Sequence, residues 1–345
     1  MTTAKQVRIT DVSPRDGLQN EAGQVSTDDK FRLVGMLAAA GVDEVECTSF
    51  VSPKWVPQLA DSAALVARIN ALGGAGPASL EQVDPTPEWA EYLAGDSPCE
   101  FSVLVPNDKG MESFLDANVN PARPMEAPPL VQKIAVFTAA SETFSKRNTN
   151  ATIAETLERF VPVIGRAQQH LLSVRGYISC VIACPFEGPI DPQRVADVAA
   201  RLAEMGCDEI DLGDTIGAGT PETVTAMIQA VSQRLGGLRL NRLGQPVVVL
   251  HLHDTFGRAG ECVRAALDCG IRSFDASVAG LGGCPYAGTP GKPAPGNIAT
   301  ELLVRIIHEA GYTTGVRPAR LAEAAAFARA TVTKARAAAA AGGVS

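Results

Sequence analysis

Short apolar or β-branched runs recur along this chain and alternate with longer stretches in which apolar residues return every three or four positions. Eight short runs read as strands, at 7–12, 44–50, 100–105, 133–139, 174–181, 209–215, 246–254 and 273–281. Between them, 28–40, 153–172, 191–205, 220–235 and 259–269 carry helical spacing. Strand–helix alternation implies parallel strands, because parallel neighbours need a crossover connection. Eight such units predict a closed (β/α)8 TIM barrel rather than an open sheet. Two segments interrupt the rhythm. Residues 71–98 read as an inserted excursion with one helix at 88–93, and 118–130 (NVNPARPMEAPPL) is too rich in proline for a regular element. Helical patterns at 300–310 and 318–341 follow the eighth strand and are expected to pack outside the barrel as extra C-terminal helices. The chain 1–345 therefore reads as one domain, with the barrel at about 7–281, a Gly- and Cys-containing loop at 280–297 and a helical tail at 299–341.

Composition narrows the function classes. The chain is 46% hydrophobic and 20% charged with a formal net charge of −8, which argues against nucleic acid as the main partner. That charge does not exclude an anionic cofactor, for which a local cluster of Lys and Arg is enough. No apolar run is long enough to span a bilayer, and with six residues before the first strand no leader peptide is expected. The eight cysteines form no paired CxxC motifs, so a structural zinc site is not expected. Thiols in apolar surroundings fit a reducing cytoplasm.

The polar residues gather at strand ends, which in a parallel barrel lie on one face. His251 and His253 are two apart on a strand, so their side chains share a face and can grip one metal ion; the alternative is a pair of packed core histidines. Asp16 or another acidic residue would supply a third ligand. Arg15 and Asp16 sit in a loop tightened by Pro14 and Gly17. Cys284 lies among Gly280, Gly282, Gly283, Gly288, Gly291 and Gly296, a loop suited to close approach to a ligand, although a lone Cys can equally be inert. Asp214 is either catalytic or a cap for the following helix. Glu46 is either catalytic or a structural partner of Arg15.

Several strings go further. Ser13-Pro-Arg15-Asp16-Gly-Leu-Gln-Asn-Glu21 follows strand one, and Glu46-Cys-Thr-Ser-Phe-Val-Ser-Pro-Lys-Trp-Val-Pro-Gln58 strand two. Val105-Pro-Asn-Asp-Lys-Gly110, Ala139-Ala-Ser-Glu142, Ser179-Cys-Val-Ile-Ala-Cys-Pro-Phe-Glu-Gly188 and Leu212-Gly-Asp-Thr-Ile-Gly217 follow. His251-Leu-His-Asp-Thr255 and Ala279-Gly-Leu-Gly-Gly-Cys-Pro-Tyr-Ala287 complete the set. From about residue 7 to 315 the chain resembles the hydroxymethylglutaryl-CoA lyase family, within the metal-dependent pyruvate carboxyltransferase (DRE-TIM metallolyase) superfamily. HxHD recurs in related barrels that condense acetyl-CoA with 2-oxo acids; PRDGLQNE together with GLGGCPYA is more specific.

The resemblance implies a divalent cation, Mg2+ or Mn2+, held by Asp16, His251, His253 and Asn297. It places Arg15, Glu46, Asp214, Cys284 and Glu301 at catalytic and loop-ordering positions. The implied reaction cleaves a 3-hydroxy-3-methylglutaryl thioester to acetyl-CoA and acetoacetate. Asp214, with His251, would take the hydroxyl proton, Arg15 would steady the enolate and Cys284 would return a proton. A homodimer is implied, and Lys109, Lys146, Arg147 and Asn148 in βα loops are candidates to meet the CoA phosphates. The sequence departs from the family pattern in the loop between Cys284 and Asn297, whose twelve residues PYAGTPGKPAPG are longer than usual, in Ala22 where a Lys commonly stands, and in the two excursions. These departures predict an acyl specificity broader than, or different from, methylglutaryl. Two rival readings are a Claisen-type synthase joining acetyl-CoA to a 2-oxo acid, which leaves Cys284 without a role, and a metal-binding homologue without turnover. A zinc hydrolase is disfavoured because no further His stands at a strand end.

Overall fold

In the computed structural model, the structure describes residues 5–72, 86–95, 98–119, 129–289, 292–294 and 296–342, with the backbone alone at 284–289, 292–294 and 342. Eight parallel strands close into a barrel: Arg8–Asp11, Glu44–Ser49, Glu100–Leu104, Val131–Ala139, Ser173–Ser179, Glu209–Asp214, Val248–Leu252 and Ser273–Ala276. Each pairs with the strands before and after it in sequence, and the first closes on the eighth. This is the barrel that the alternation of strands and helices predicted.

The elements end where local chemistry stops them. The helix Thr27–Ala40 begins at Ser26, whose side chain accepts from the Asp29 amide, and ends at Gly41 in the left-handed region. Ile153–Gln169 opens with a reciprocal Thr152/Glu155 capping box. The eighth strand stops at Ala276 rather than 281, because Ala279 and Gly280 adopt positive φ and turn the chain. Helices Ser62–Leu72, Asp108–Ala117 and Glu142–Thr149 add to those expected. Of the two excursions, Pro87–Ala94 is helical, while 73–85, 96–97 and 120–128 lie outside the described residues.

The apolar core fills the shell between barrel wall and helices, where Val7, Ile9, Val45, Val174 and Leu250 meet Leu37, Leu157 and Val195. Inside the barrel, Lys133 Nζ contacts Glu44 (2.8 Å), Glu209 (2.9 Å) and Glu100 (3.0 Å). Arg175 grips Glu44 (2.8 Å), Glu209 (2.8 Å) and Asp275 (3.0 Å). Above this charged floor Leu104, Ala135 and Tyr177 make a small apolar cluster. Desolvated charges persist only when paired on several sides, and both cations here have three carboxylate partners.

The tail packs outside the barrel. In helix Pro318–Gly342, Leu321, Ala324, Ala325, Ala328, Val332 and Ala335 are buried at three- and four-residue steps, facing the helix Thr27–Ala40. Among the described residues no helix is long and apolar enough to cross a membrane.

Candidate active site

At the C-terminal end of the barrel the chain leaves strand one in a wide helical turn, Ser13–Gly17. Asp11 governs this turn. Its carboxylate accepts from the Ser13 amide (2.9 Å), the Val278 amide (3.1 Å) and the Thr300 hydroxyl (2.6 Å), and so ties the loops after strands one and eight together. Burial raises the Asp11 carboxyl to about 6, against the pull of those donors.

The turn aims Arg15 and Asp16 inward. Arg15 Nε donates to Glu46 Oε2 at 2.5 Å and Nη1 to Asp16 Oδ1 at 2.7 Å, with the guanidinium carbon 5.4 Å from the Tyr177 ring centre. Glu46 is fully buried and its carboxyl is raised by burial, though Arg15 opposes this; it is the structural partner of Arg15 and also lines the site. Asp16 is raised by burial but lowered more by Arg15 and by the hydrogen bond from Asn297, so it stays ionised.

Asp16, His251 and His253 each offer a ligand atom within 4.8 Å of the others. His251 lies in strand seven; His253 lies just beyond it and forms a bridge with Asn297. Asn297 Nδ2 donates to Asp16 Oδ2 (2.7 Å) and to the Leu281 carbonyl (3.0 Å). Among the described residues, the buried atoms His253 Nδ1 and Asn297 Oδ1 have no hydrogen-bond partner. Burial and the neighbouring His251 push the His253 pKa down to about 4, so the ring is neutral at neutral pH, as a ligand must be. Unpartnered nitrogen and oxygen lone pairs beside an ionised Asp fit a divalent cation.

Backbone geometry makes this possible. A Cβ on Gly282, at φ 95°, would stand 2.5 Å from Asn297 Nδ2, and one on Gly296 would run into the Gly282 carbonyl. Only glycine lets the two loop limbs approach closely enough for Asn297 to reach Asp16.

Asp214 ends strand six. Its oxygens accept from the amides of Ala218 (3.1 Å) and Gly219 (2.7 Å), and burial raises it to about 6. It therefore caps a turn, although not as a helix N-cap, since Thr220 fills that place in helix Pro221–Leu235. Glu301 Oε2 accepts from the amide of Ala279, which is held at φ 60°, and Oε1 meets Arg329 at 3.4 Å. Cys284 opens a hairpin with Lys292–Ala294, and its side chain lies outside the described residues. Of the candidate phosphate contacts, Arg147 stacks on Phe186 at 4.2 Å.

Sequence reasoning gave no role to Asp11, Tyr177, Asp211 or Asp275. Asp275 Oδ2 lies 3.4 Å from His251 Nδ1 and accepts from the Tyr177 hydroxyl at 3.3 Å. The available signal was period-two spacing of polar residues within strands, as in Arg175/Tyr177 and Glu209/Asp211.

A family model described as HMGL-like matches residues 6–86 and 108–328. The chain is 44% identical over 316 residues, 92% of its length and 89% of the relative's, to the 3-hydroxy-3-isohexenylglutaryl-CoA/hydroxy-methylglutaryl-CoA lyase of Pseudomonas aeruginosa. Among solved structures, the HMG-CoA lyase of Brucella melitensis superposes with a TM-score of 0.77 at 43% identity, covering 95% of this chain and 99% of that one. An HMG-CoA lyase from Acinetobacter baumannii, in complex with coenzyme A and 3-methylmalate, gives 0.76 at 29% identity over 96% and 93%.

Proposed function

The chain belongs to the HMGL-like family, and on that premise we propose that it is a metal-dependent carbon–carbon lyase. Its substrate is 3-hydroxy-3-methylglutaryl-CoA or a close 3-hydroxy-3-alkylglutaryl-CoA, and its products are acetyl-CoA and acetoacetate or the matching 3-oxo acid. The observation that carries this reading is the meeting of Arg15 and Asp16 with His251, His253 and Asn297 at one barrel mouth.

Asp16, His251, His253 and Asn297 would hold the cation, and their mixed nitrogen and oxygen donors suit Mg2+ or Mn2+. When bound, the cation lowers the cost of removing the proton from the tertiary hydroxyl. Asp214 takes that proton; a carboxyl raised to about 6 is ionised at neutral pH yet basic enough to accept it. As the carbon–carbon bond breaks, its electron pair moves toward the thioester carbonyl. Arg15, held by Glu46 and Asp16, is oriented before the reaction to meet the charge that grows on that oxygen. Cys284 returns a proton to the acetyl carbon, a role that rests on its place in GLGGCPYA. Glu301 holds the start of that loop through the Ala279 amide.

The Pseudomonas relative is named for both isohexenylglutaryl and methylglutaryl thioesters, which supports an acyl pocket here that is wider than methylglutaryl alone requires. The neighbour bound to coenzyme A supports a CoA thioester, with Lys109, Lys146, Arg147 and Asn148 facing its phosphates. A cytoplasmic homodimer working in leucine breakdown completes the reading. The condensing synthase and the inactive homologue are not favoured, since the relatives compared are lyases.

The test is acetyl-CoA release from 3-hydroxy-3-methylglutaryl-CoA, with and without Mg2+ or Mn2+, for the wild type and Cys284→Ala. Metal-dependent release that collapses in the variant is expected. Absence of release under either metal, across a panel of 3-alkyl homologues, refutes the reading.

A further inference from the structure

Asp275 is among the most completely buried charges in the molecule, at 1% exposure, and stands in register with His251 on the neighbouring strand. Arg175, Tyr177 and His251 converge on it, beside the buried carboxyl of Asp211. Arg175 Nη1 reaches Oδ1 at 3.0 Å, and the Tyr177 hydroxyl and His251 Nδ1 reach Oδ2 at 3.3 and 3.4 Å. Arg175 is itself anchored by Glu44 and Glu209 on the barrel floor. Asp275 is thus held from below and meets the Nδ1 of an imidazole that also stands within ligand reach of Asp16 and His253. Asp211, His251 and Asp275 also offer ligand atoms within 4.8 Å of one another, but the Arg175 guanidinium already supplies the positive charge that a cation at Asp275 would bring.

We propose that Asp275 is a positioning residue for metal binding. It accepts the Nδ1 proton of His251, fixes the ring's tautomer and rotation, and leaves Nε2 as the lone pair directed at the cation. A histidine ligand free to rotate or to carry its proton on Nε2 must be reorganised before it can bind, so a carboxylate behind the ring strengthens metal affinity without touching metal or substrate. Tyr177 and Arg175 act one step further back by fixing Asp275. The inference rests on the metal-site reading above and deepens it.

The test is Mn2+ binding to the purified chain, read from the electron paramagnetic resonance of free Mn2+, for the wild type and Asp275→Asn, with circular dichroism melts of both. The variant is expected to bind Mn2+ about 10- to 100-fold more weakly, with kcat recovering as Mn2+ is raised and the thioester KM nearly unchanged. Undiminished Mn2+ affinity in a folded variant overturns the proposal, as does a wild type that binds no Mn2+. Asp275→Asn weakens one of the three carboxylate contacts that hold Arg175 and lowers the stability of the barrel, so a second measurement needs no variant at this position. In the Mg2+-loaded wild type, long-range 1H–15N correlation reads the His251 tautomer, with His251→Gln assigning the resonance. A proton on Nδ1 is expected, and one on Nε2 overturns the proposal. A wild type with Asp275-dependent Mn2+ binding that cleaves no thioester would sink the lyase reading and leave this one standing.

Discussion

Asn297 donates its side-chain amide to Asp16 at 2.7 Å across a separation of 281 residues. The bond joins the loop that follows strand one to the far limb of the loop that follows strand eight. Asn297 Oδ1 is buried and has no partner among the described residues. Asn297→Ala is expected to weaken Mn2+ binding by about tenfold or more, since it removes one donor and unties another. Isothermal titration of Mn2+ into the two proteins checks this; equal affinities would contradict it.

Gly282→Ala introduces a methyl group 2.5 Å from Asn297 Nδ2 and 3.2 Å from the Asp16 carbonyl, at a φ of 95° that L residues rarely adopt. The backbone term alone is about 1 kcal/mol, and the clash adds to it. Acetyl-CoA release is expected to fall at least about tenfold, one such factor being about 1.4 kcal/mol, while the melting temperature drops by only a few degrees because the loop lies above the core. A variant with wild-type turnover would show that the loop limbs need no such approach.

Asp214 has a folded-state pKa of about 6, raised by burial. The acid is therefore protonated and unable to accept a proton below that value, and ionised above it. The profile of kcat/KM should rise with pH through about 6 and level off. Asp214→Asn should lose about 100-fold or more and abolish that limb. A limb that persists unchanged in the variant assigns the titration to another group.

Glu209 is held down to about 2: burial raises it, and Lys133 and Arg175 outweigh the burial. A depressed carboxyl contributes stability that is complete above its unfolded value, near 4.5, and lost as pH falls toward the folded one. Denaturant melts from pH 5 to 2 should show stability falling through this window. In Glu209→Gln that fall should be shallower; identical slopes would remove Glu209 from the account.

Lys133→Met leaves Glu44 and Glu209 buried beside one cation instead of two. Removing one partner from such a group costs about 3–5 kcal/mol, to be read from equilibrium unfolding in urea. A loss below about 1 kcal/mol would mean that the floor adjusts by taking up protons.

The barrel was legible because its signal is repetitive: eight short apolar or β-branched runs separated by period-3.6 runs leave few alternatives. His251 and His253 were legible for the same reason, as a two-residue step at a strand end. Asn297 was not, because it lies in an irregular loop with no period to read, and only the family resemblance located it. The pairing of Glu46 with Arg15 was one of two readings left open, and only the 2.5 Å contact decides it, since nothing local records a contact across 31 residues. Asp275, Arg175 and Lys133 were opaque for a different reason. A charge inside a strand pattern ordinarily marks a solvent-facing position, whereas here these residues point into a barrel whose interior is polar. The helices Asp108–Ala117 and Glu142–Thr149 lay inside motifs read as loops, although Asn107 and Ser141 cap them with their side chains.

The charged barrel floor constrains how the gene can change. Lys133 and Arg175 share Glu44 and Glu209, Arg175 also holds Asp275, and Asp275 meets His251. No member can drift alone, because each single replacement strands a buried charge that several others had balanced. A lineage that altered this layer would have to cross a valley of unstable intermediates or exchange two codons together. By contrast, the outer helices pack through apolar side chains that tolerate conservative swaps one at a time. The inside of the barrel is thus inherited as a block, and the outside residue by residue.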